Sequence, residues 1–170
     1  MSSLIFRAAE LSDLPALQEM YCAVVDRMRA DGLDIWDDVY PVCALEEDIR
    51  RGRLYLLLDQ ERPAAAFALC DDAPGAGAVR WAGEGRALYL YRLAVSPAFL
   101  RQGVGSRMLD FARRTAREQG AQQLRLFVVQ ENQPAVCLYL ANGFLQAEGV
   151  YRDVVATGRP LCEHGYELPL

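Results

Sequence analysis

The stretch SPAFLRQGVGSRMLDFARR, residues 96–114, contains the change from strand to helix that decides the fold of this chain. It follows the apolar run ALYLYRLAV, residues 87–95, which has the composition of a β-strand. Apolar residues then recur at helical spacing, at Val104, Met108, Phe111, Ala112 and Ala116. Gly103 and Gly105 therefore stand at the junction between a predicted strand and a predicted helix.

The glycine pair in RQGVGS has three interpretations. A tight turn needs only the unusual φ angles that glycine allows. A dinucleotide-binding fingerprint needs a third glycine where Met108 stands, and no Gly-Lys-Ser/Thr follows to make a P-loop. The third interpretation is an anion-binding loop, in which the amides of residues 102–106 converge at a helix N-terminus beside Arg101 and Arg107. Such a loop suits a pyrophosphate.

A second motif follows the predicted strand QQLRLFVV, residues 122–129. Asn132, Ala135 and Tyr139 are three and four residues apart, so they lie on one face of a predicted helix that ends near Gly143. Taken singly, Asn132 is explained as a helix N-cap and Tyr139 as a half-buried aromatic residue. Their combination with the glycine loop is harder to explain by packing alone.

The two motifs together, a glycine loop between strands and then N-x-x-A-x-x-x-Y-x-x-x-G-F, resemble the GNAT superfamily of acetyl-CoA-dependent N-acetyltransferases, in particular its small bacterial members. The resemblance follows the element order of the whole chain and is specific from about Leu88 to Phe144. It implies a mixed α+β fold, with a mostly antiparallel twisted sheet flanked by helices in one domain over residues 1–170. The sheet is expected to splay between its fourth and fifth strands, residues 87–95 and 122–129.

The resemblance also implies a coenzyme A site. Backbone amides that would bind the pyrophosphate belong to Arg101, Gln102, Gly103, Val104, Gly105 and Ser106. Backbone groups that would pair with the pantetheine arm belong to Leu93, Ala94 and Val95. Asn132, Ala135 and Tyr139 would face the coenzyme. The family usually carries Gln or Arg where this chain has Leu100, so we expect weaker or shifted phosphate contact.

Acetyl transfer to an amine sets the remaining requirements. An alkylamine with a pKa of ~10.4 is neutral only about once in 2,500 molecules at pH 7, so it must be deprotonated. Tyr139 would act as the general acid toward the departing thiolate, and a backbone N–H near Leu93 or Val95 would polarise the carbonyl. The sequence does not identify the general base. The candidates are a chain of water molecules and the side chains of Glu163, His164, Asp34, Asp37 and Asp38.

The acceptor side is expected in the acidic, aromatic segment DGLDIWDDVYP, residues 31–41. Trp36 and Tyr40 would form an aromatic wall, and Tyr91 on the central strand would also contact the acceptor, a primary amine of a small molecule or peptide. An equally supported interpretation makes Trp36 and Tyr40 the anchor of a lid. Two further functions compete with the enzyme: an acyl-CoA-binding or sensor protein that does not acetylate amines, and an adaptor protein.

Composition argues against three other kinds of protein: those that bind nucleic acid, those that span a membrane and those that hold a metal ion. A net charge of −5 argues against nucleic acid, and the longest apolar run, residues 64–70, is too short for a membrane span. The five cysteines are scattered without a C-x-x-C pair, and the single His164 has only Cys162 nearby, so we expect no metal. With no signal peptide recognised, the cytoplasm is the expected location, and a homodimer through the terminal strands is common in the family.

Predicted elements cover most of the chain. Strands are expected at residues 4–9, 53–59, 63–70, 87–95, 122–129, 144–155 and 161–168, and helices after Ser12 and at residues 44–51, 103–119 and 132–143. Residues 71–86, rich in Gly and Ala, are expected to form a surface excursion.

Overall fold

The computed structural model describes residues 4–154 and 158–170. Its helices are α1 (Leu14–Ala30), α2 (Val42–Arg50), α3 (Val104–Glu118) and α4 (Gln133–Ala141). Its strands are β1 (Leu4–Ala8), β2 (Leu54–Asp59), β3 (Arg62–Cys70), β4 (Val79–Arg80), β5 (Ala87–Val95), β6 (Gln123–Val129), β7 (Leu145–Gln146), β8 (Glu148–Gly149), β9 (Tyr151–Val154) and β10 (Pro160–Pro169). Short 3₁₀ turns lie at Leu11–Asp13, Ala76–Ala78 and Pro97–Phe99.

The strands form a mixed, mostly antiparallel sheet, which confirms the predicted fold class. Hydrogen-bonded neighbours follow the order β1-β2-β3-β5-β6-β10-β7, with β9 also paired to β10 and a separate small sheet of β4 and β8. The pairing of β5 with β6 is parallel and covers Ala87–Tyr89 against Gln123–Arg125. Both strands continue, to Val95 and Val129, beyond this register. The described pairing of these two strands, which are the pair expected to splay, therefore stops before their ends.

The described residues form two compact units. The first unit comprises the chain up to Ala68 together with Arg92–Phe111. Its core combines the buried strand residues of β2 and β3 with Leu17 and Tyr21 of α1 and with Leu45 of α2. Phe6 on β1 stacks on Phe111 of α3, with ring centroids 4.0 Å apart.

The second unit comprises Leu69–Tyr91 and Ala112–Leu170. Its longest pairing joins β6 to β10 in antiparallel register from Glu163↔Val129 to Pro169↔Gln123. Trp81 lies against Phe127 of β6 with ring centroids 5.6 Å apart, and the guanidinium of Arg125 lies 4.6 Å from the Trp81 ring centroid. The segment 71–86 is largely exposed, as predicted, but Trp81 anchors it and β4 adds an unpredicted strand.

The predicted strand over residues 144–155 is wrong as one element. The chain instead forms β7, β8 and β9, and Val155 lies outside the described residues. Gly149 has a φ of +100°, which no continuous strand maintains, and it pairs with Val79 of β4. The single-domain assignment of residues 1–170 stays a prediction.

Candidate functional site

The site residues predicted from the sequence are divided between the two compact units. The first unit holds Trp36, Tyr40, Leu93, Ala94, Val95 and the loop Arg101 to Ser106, and the second unit holds Tyr91, Asn132, Ala135, Tyr139, Glu163 and His164. The residues of each unit are therefore described separately.

The glycine loop is an exposed turn that leads into α3. Arg101 and Gly103 have left-handed φ angles of +59° and +74°. The amide of Arg107 donates to the carbonyl of Gly103 over 3.1 Å, so the amides that precede Arg107 are the ones that helix geometry directs out of the N-terminus. A Cβ built on Gly103 meets nothing within 4 Å. This open turn fits a pyrophosphate bound to backbone amides.

The two glycines of the loop have different roles. Gly103 supplies the left-handed conformation that a tight turn needs, whereas Gly105 lies inside α3 with helical backbone. The explanation by unusual φ angles therefore holds for Gly103 only. Val104, next to both, is 4% exposed, so the start of the helix is fixed by the core.

The strand before the loop contains a local distortion. Arg92 has a left-handed φ of +52°, which is uncommon for a residue with a side chain. Beyond it, Ala94 is buried while Leu93 and Val95 are half-buried. The amide of Ser96 then donates to the carbonyl of Ala64 over 2.9 Å, which ties the end of β5 to β3.

A buried polar network surrounds Arg92. The Tyr21 hydroxyl donates to the Arg92 carbonyl oxygen over 2.6 Å, and Nε of Arg92 donates to Oδ2 of Asp48 over 2.7 Å. The other oxygen of Asp48 accepts from Nε of Arg53 over 2.7 Å, and the Asp48 side chain is 0% exposed. Sequence reasoning missed Tyr21 and Asp48. The available signal was a carboxylate three residues after Leu45, on the apolar face of α2.

The structure brings Trp36 and Tyr40 together. Their rings meet edge to face with centroids 6.5 Å apart, and Trp36 also lies 6.0 Å from the centroid of Tyr21. Nη1 of Arg92 donates to the Tyr40 hydroxyl over 3.3 Å. The predicted aromatic pair is therefore linked to the Arg92 network. Tyr91, half-buried in β5, precedes that network in the chain.

The loop aspartates differ as base candidates. Oδ1 of Asp37 accepts from the amides of Val39 and Tyr40, both over 2.8 Å, and these hydrogen bonds lower the pKa of Asp37. Asp38 pairs with Arg29 over 2.9 Å, and Asp34 is exposed. A carboxylate with a lowered pKa is a weaker base, so Asp37 is poorly suited to deprotonate an amine.

On α4, the structure confirms Asn132 as the N-cap. Its Oδ1 accepts from the amide of Ala135 over 3.4 Å. Tyr139 is 8% exposed, and its ring meets that of Phe144 edge to face at 5.7 Å. Burial raises the pKa of Tyr139 well above its usual value, so the phenol stays protonated at neutral pH. It remains a hydrogen-bond donor.

The last strand carries two titratable neighbours. Glu163 stands in register with Val129 of β6 and with Tyr151 of β9. Burial, helped by the nearby charge of Asp153, raises the pKa of Glu163 to about 7. His164 contacts Gln146 through Nδ1 over 3.0 Å. Glu163 thus has the titration range of a general base at neutral pH.

Within residues 4–154 and 158–170, no group of three or more His, Cys, Asp or Glu side chains could hold a metal ion. None of the helices in those ranges is long and apolar enough to cross a bilayer.

The acetyltransferase (GNAT) family model matches residues 18–144, which include the glycine loop, β5, β6 and α4. The chain belongs to the GNAT acetyltransferase family. Among structures, a Salmonella typhimurium protein solved with its cofactor acetyl-CoA is similar over 98% of this chain and 94% of its own, with a TM-score of 0.68 and 20% identity. That likeness supports the GNAT fold.

Two curated relatives of this GNAT chain are also acetyltransferases. The mycothiol acetyltransferase of Jonesia denitrificans is 39% identical over 84 residues, which are 49% of this chain and 26% of the relative. The thialysine N-ε-acetyltransferase of Bos taurus is 38% identical over 69 residues, which are 39% of this chain and 41% of the relative. The matches therefore span less than half of either relative.

Proposed function

We propose that this GNAT chain is an N-acetyltransferase, which transfers an acetyl group from acetyl-CoA directly to a primary amine of a small molecule or peptide. The observation that carries the proposal is the open loop at the start of α3, with left-handed Arg101 and Gly103 and no neighbour in the space a Cβ would take. The family match and the acetyltransferase names of its relatives agree with this activity.

In this proposal, the first unit supplies the loop and the strand end that bind the coenzyme. The amides of residues 101–106 hold the pyrophosphate, and the backbone of Leu93, Ala94 and Val95 pairs with the pantetheine arm. Leu100 brings no charge to the phosphates, so the backbone amides and the exposed Arg101 carry the contact. On α4, Asn132, Ala135 and Tyr139 complete the proposed coenzyme contacts.

The amine nitrogen attacks the thioester carbonyl carbon and the carbon–sulfur bond breaks. The proton lost by the nitrogen passes to a base, and coenzyme A leaves as a thiolate, which then takes a proton from solvent. Glu163 is the best-supported base because burial raises its pKa to about 7, close to neutral pH. The buried Tyr139 hydroxyl stabilises the departing thiolate by a hydrogen bond, since its raised pKa makes full proton transfer less favourable.

The acceptor is proposed to lie against Trp36, Tyr40 and Tyr91. Aromatic faces attract alkylammonium groups, so the pair formed by Trp36 and Tyr40 suits an aliphatic amine. One relative is named for acetylation at an N-ε position, which makes thialysine and lysine the first acceptors to try. Peptides with free N-termini form the second group.

A two-stage experiment tests the proposal. Thermal unfolding with coenzyme A at a hundredfold excess over Kd is expected to show a stabilisation of about 2.7 kcal/mol. A free-thiol assay with acetyl-CoA and the amine panel then measures transfer, with AMP as a control ligand that has neither pyrophosphate nor pantetheine. Stabilisation without thiol release for any amine supports the acyl-CoA sensor instead, and the absence of stabilisation leaves the adaptor.

A further inference from the structure

The proposed reaction does not use the left-handed conformation of Arg92. Its φ of +52° lies in the middle of β5, immediately before the three residues proposed to contact the pantetheine arm. A residue with a side chain stays in this region only when its surroundings hold it there. The residues that hold Arg92 therefore determine the path of the backbone that follows it.

One restraint acts on the backbone of Arg92. The Tyr21 hydroxyl, carried by α1, donates to the Arg92 carbonyl oxygen over 2.6 Å. Tyr21 is 0% exposed, and burial raises its pKa far above the usual value, so it is a permanent donor. This carbonyl belongs to the peptide group that joins Arg92 to Leu93. The hydrogen bond thus fixes the orientation of that peptide directly.

A second restraint acts on the side chain. Oδ2 of Asp48, carried by α2, lies 2.7 Å from Nε of Arg92 and 2.5 Å from Nη2. The Arg92 side chain is 7% exposed and that of Asp48 is 0% exposed. Charge-assisted contacts in such a buried setting are strong and directional. Residues of two helices therefore hold Arg92, Tyr21 of α1 at its carbonyl and Asp48 of α2 at its guanidinium.

We propose that Tyr21 and Asp48 are positioning residues for acetyl transfer: they hold Arg92 in its left-handed conformation and thereby aim the backbone of residues 93–95 at the thioester. This inference rests on the proposed function. Catalysis by preorganised amides is sensitive to displacements of about 1 Å. Loss of either restraint misaligns the amides while the pyrophosphate contacts of the loop remain.

The first test is kinetic. Tyr21→Phe and Asp48→Asn are each expected to lower kcat about 10-fold or more, with the KM for acetyl-CoA within about threefold of the wild-type value. Arg53→Gln is the matched control, because it removes a partner of the same buried carboxylate outside β5. It is expected to keep kcat within about twofold. Equal losses of kcat in Arg53→Gln and Asp48→Asn would overturn the role of Asp48.

A glycine background separates positioning from simple packing. Glycine adopts a positive φ without restraint, so Arg92→Gly is expected to make the Tyr21 hydroxyl unnecessary. Tyr21→Phe should then lower kcat less than twofold in the Arg92→Gly chain, against about 10-fold in the wild type. The same fold loss in both backgrounds would contradict positioning by Tyr21.

A spectroscopic test does not depend on the reaction. The HN–Hα coupling and the ¹³C shifts of Arg92 report its φ angle, and in Tyr21→Phe they are expected to move toward extended values. An unchanged left-handed signature in this variant, which keeps the buried ring, overturns the proposal even if Asp48→Asn does not fold. Failure of the wild type to release thiol would instead refute the proposed function.

Discussion

The rings of Tyr139 and Phe144 meet edge to face with centroids 5.7 Å apart, and the amide of Phe144 donates to the carbonyl of Tyr139 over 3.1 Å. This contact fixes the ring of Tyr139 at the end of α4 without using its hydroxyl. The packing of the ring and the chemistry of the hydroxyl are therefore separable by mutation.

Tyr139→Phe tests the hydroxyl. We expect kcat to fall roughly 10- to 100-fold with little change in the KM for acetyl-CoA, because a thiolate needs only moderate help to leave. The free energy of unfolding should change by about 1 kcal/mol or less. Tyr166→Phe removes another phenol hydroxyl of the same unit, bonded to Gln146, and serves as the control. An unchanged kcat for Tyr139→Phe, with chemistry rate-limiting, would leave Tyr139 a packing residue.

Gly103→Val tests the loop. The left-handed φ of +74° makes the substitution cost about 1–2 kcal/mol in stability, and the new side chain takes the space proposed for phosphate. We expect the KM for acetyl-CoA to rise roughly 10- to 100-fold. Gly52→Val is the matched control, since Gly52 has a φ of +65° and nothing within 4 Å of a built Cβ. The two variants should lose similar stability, and a similar rise in KM for both would refute the loop's role.

The raised pKa of Glu163 makes stability depend on pH. Because its pKa rises from 4.5 to about 7 on folding, the folded chain favours the protonated form and loses stability as pH rises through this window. Glu163→Gln is expected to raise the free energy of unfolding by about 2 kcal/mol at pH 8 and to change it little at pH 4. Denaturant titrations at the two pH values measure both.

Two further measurements sharpen the Glu163 prediction. Asp153→Asn removes the second cause of the raised pKa, so it should recover a smaller part of the same stabilisation at pH 8. If Glu163 is the general base, the wild-type kcat/KM rises with pH, with an apparent pKa of about 7. This rising limb of the pH profile should be absent in Glu163→Gln. A limb retained in the variant would assign the base to another group.

Gly165 on β10 is expected to be intolerant for steric reasons. A Cβ there would stand 2.8 Å from Cη2 of Trp81 and 3.2 Å from Cγ2 of Val79, so the indole must shift. Gly165→Ala should cost about 1–3 kcal/mol and change the fluorescence of Trp81. Gly77→Ala is the control: its Cβ meets nothing within 4 Å, and its cost should stay within about 0.5 kcal/mol. Equal stability of the two variants would contradict the steric account.

The sequence correctly predicted those helices and strands whose hydrophobic periodicity is visible within a short stretch of chain. The change of period from strand to helix around Gly103 placed β5 and α3 correctly, and Asn132 capped its helix as expected. The prediction of one strand over residues 144–155 failed because their apolar content is typical of a strand, whereas Gly149 adopts a conformation that interrupts a strand. That conformation is fixed by pairing with β4, a partner some 70 residues earlier in the chain.

The placement of the candidate residues on their elements was predictable from local pattern, while their roles stay predictions. The glycine loop lies at the start of α3 and Tyr139 lies on α4, as their spacing predicts, and Trp36 and Tyr40 were recognisable from composition. The left-handed Arg92 was not, because arginine has no preference for that conformation and only contacts distant in sequence impose it. The raised pKa of Glu163 likewise depends on burial by neighbouring strands, which spacing along β10 does not reveal.

The carboxylates that pair within the described residues do so with guanidinium groups, from Arg7 on β1 to Arg125 on β6. All eighteen basic residues of the sequence are arginine. A guanidinium keeps its proton at any physiological pH and is a poor nucleophile, whereas a lysine amine slowly attacks thioesters. The contacts that hold Asp48, Asp13 and Glu167 are therefore chemically inert toward acetyl-CoA. Under the proposed function, the ion pairs among the described residues are thus ones that the acetyl donor does not neutralise.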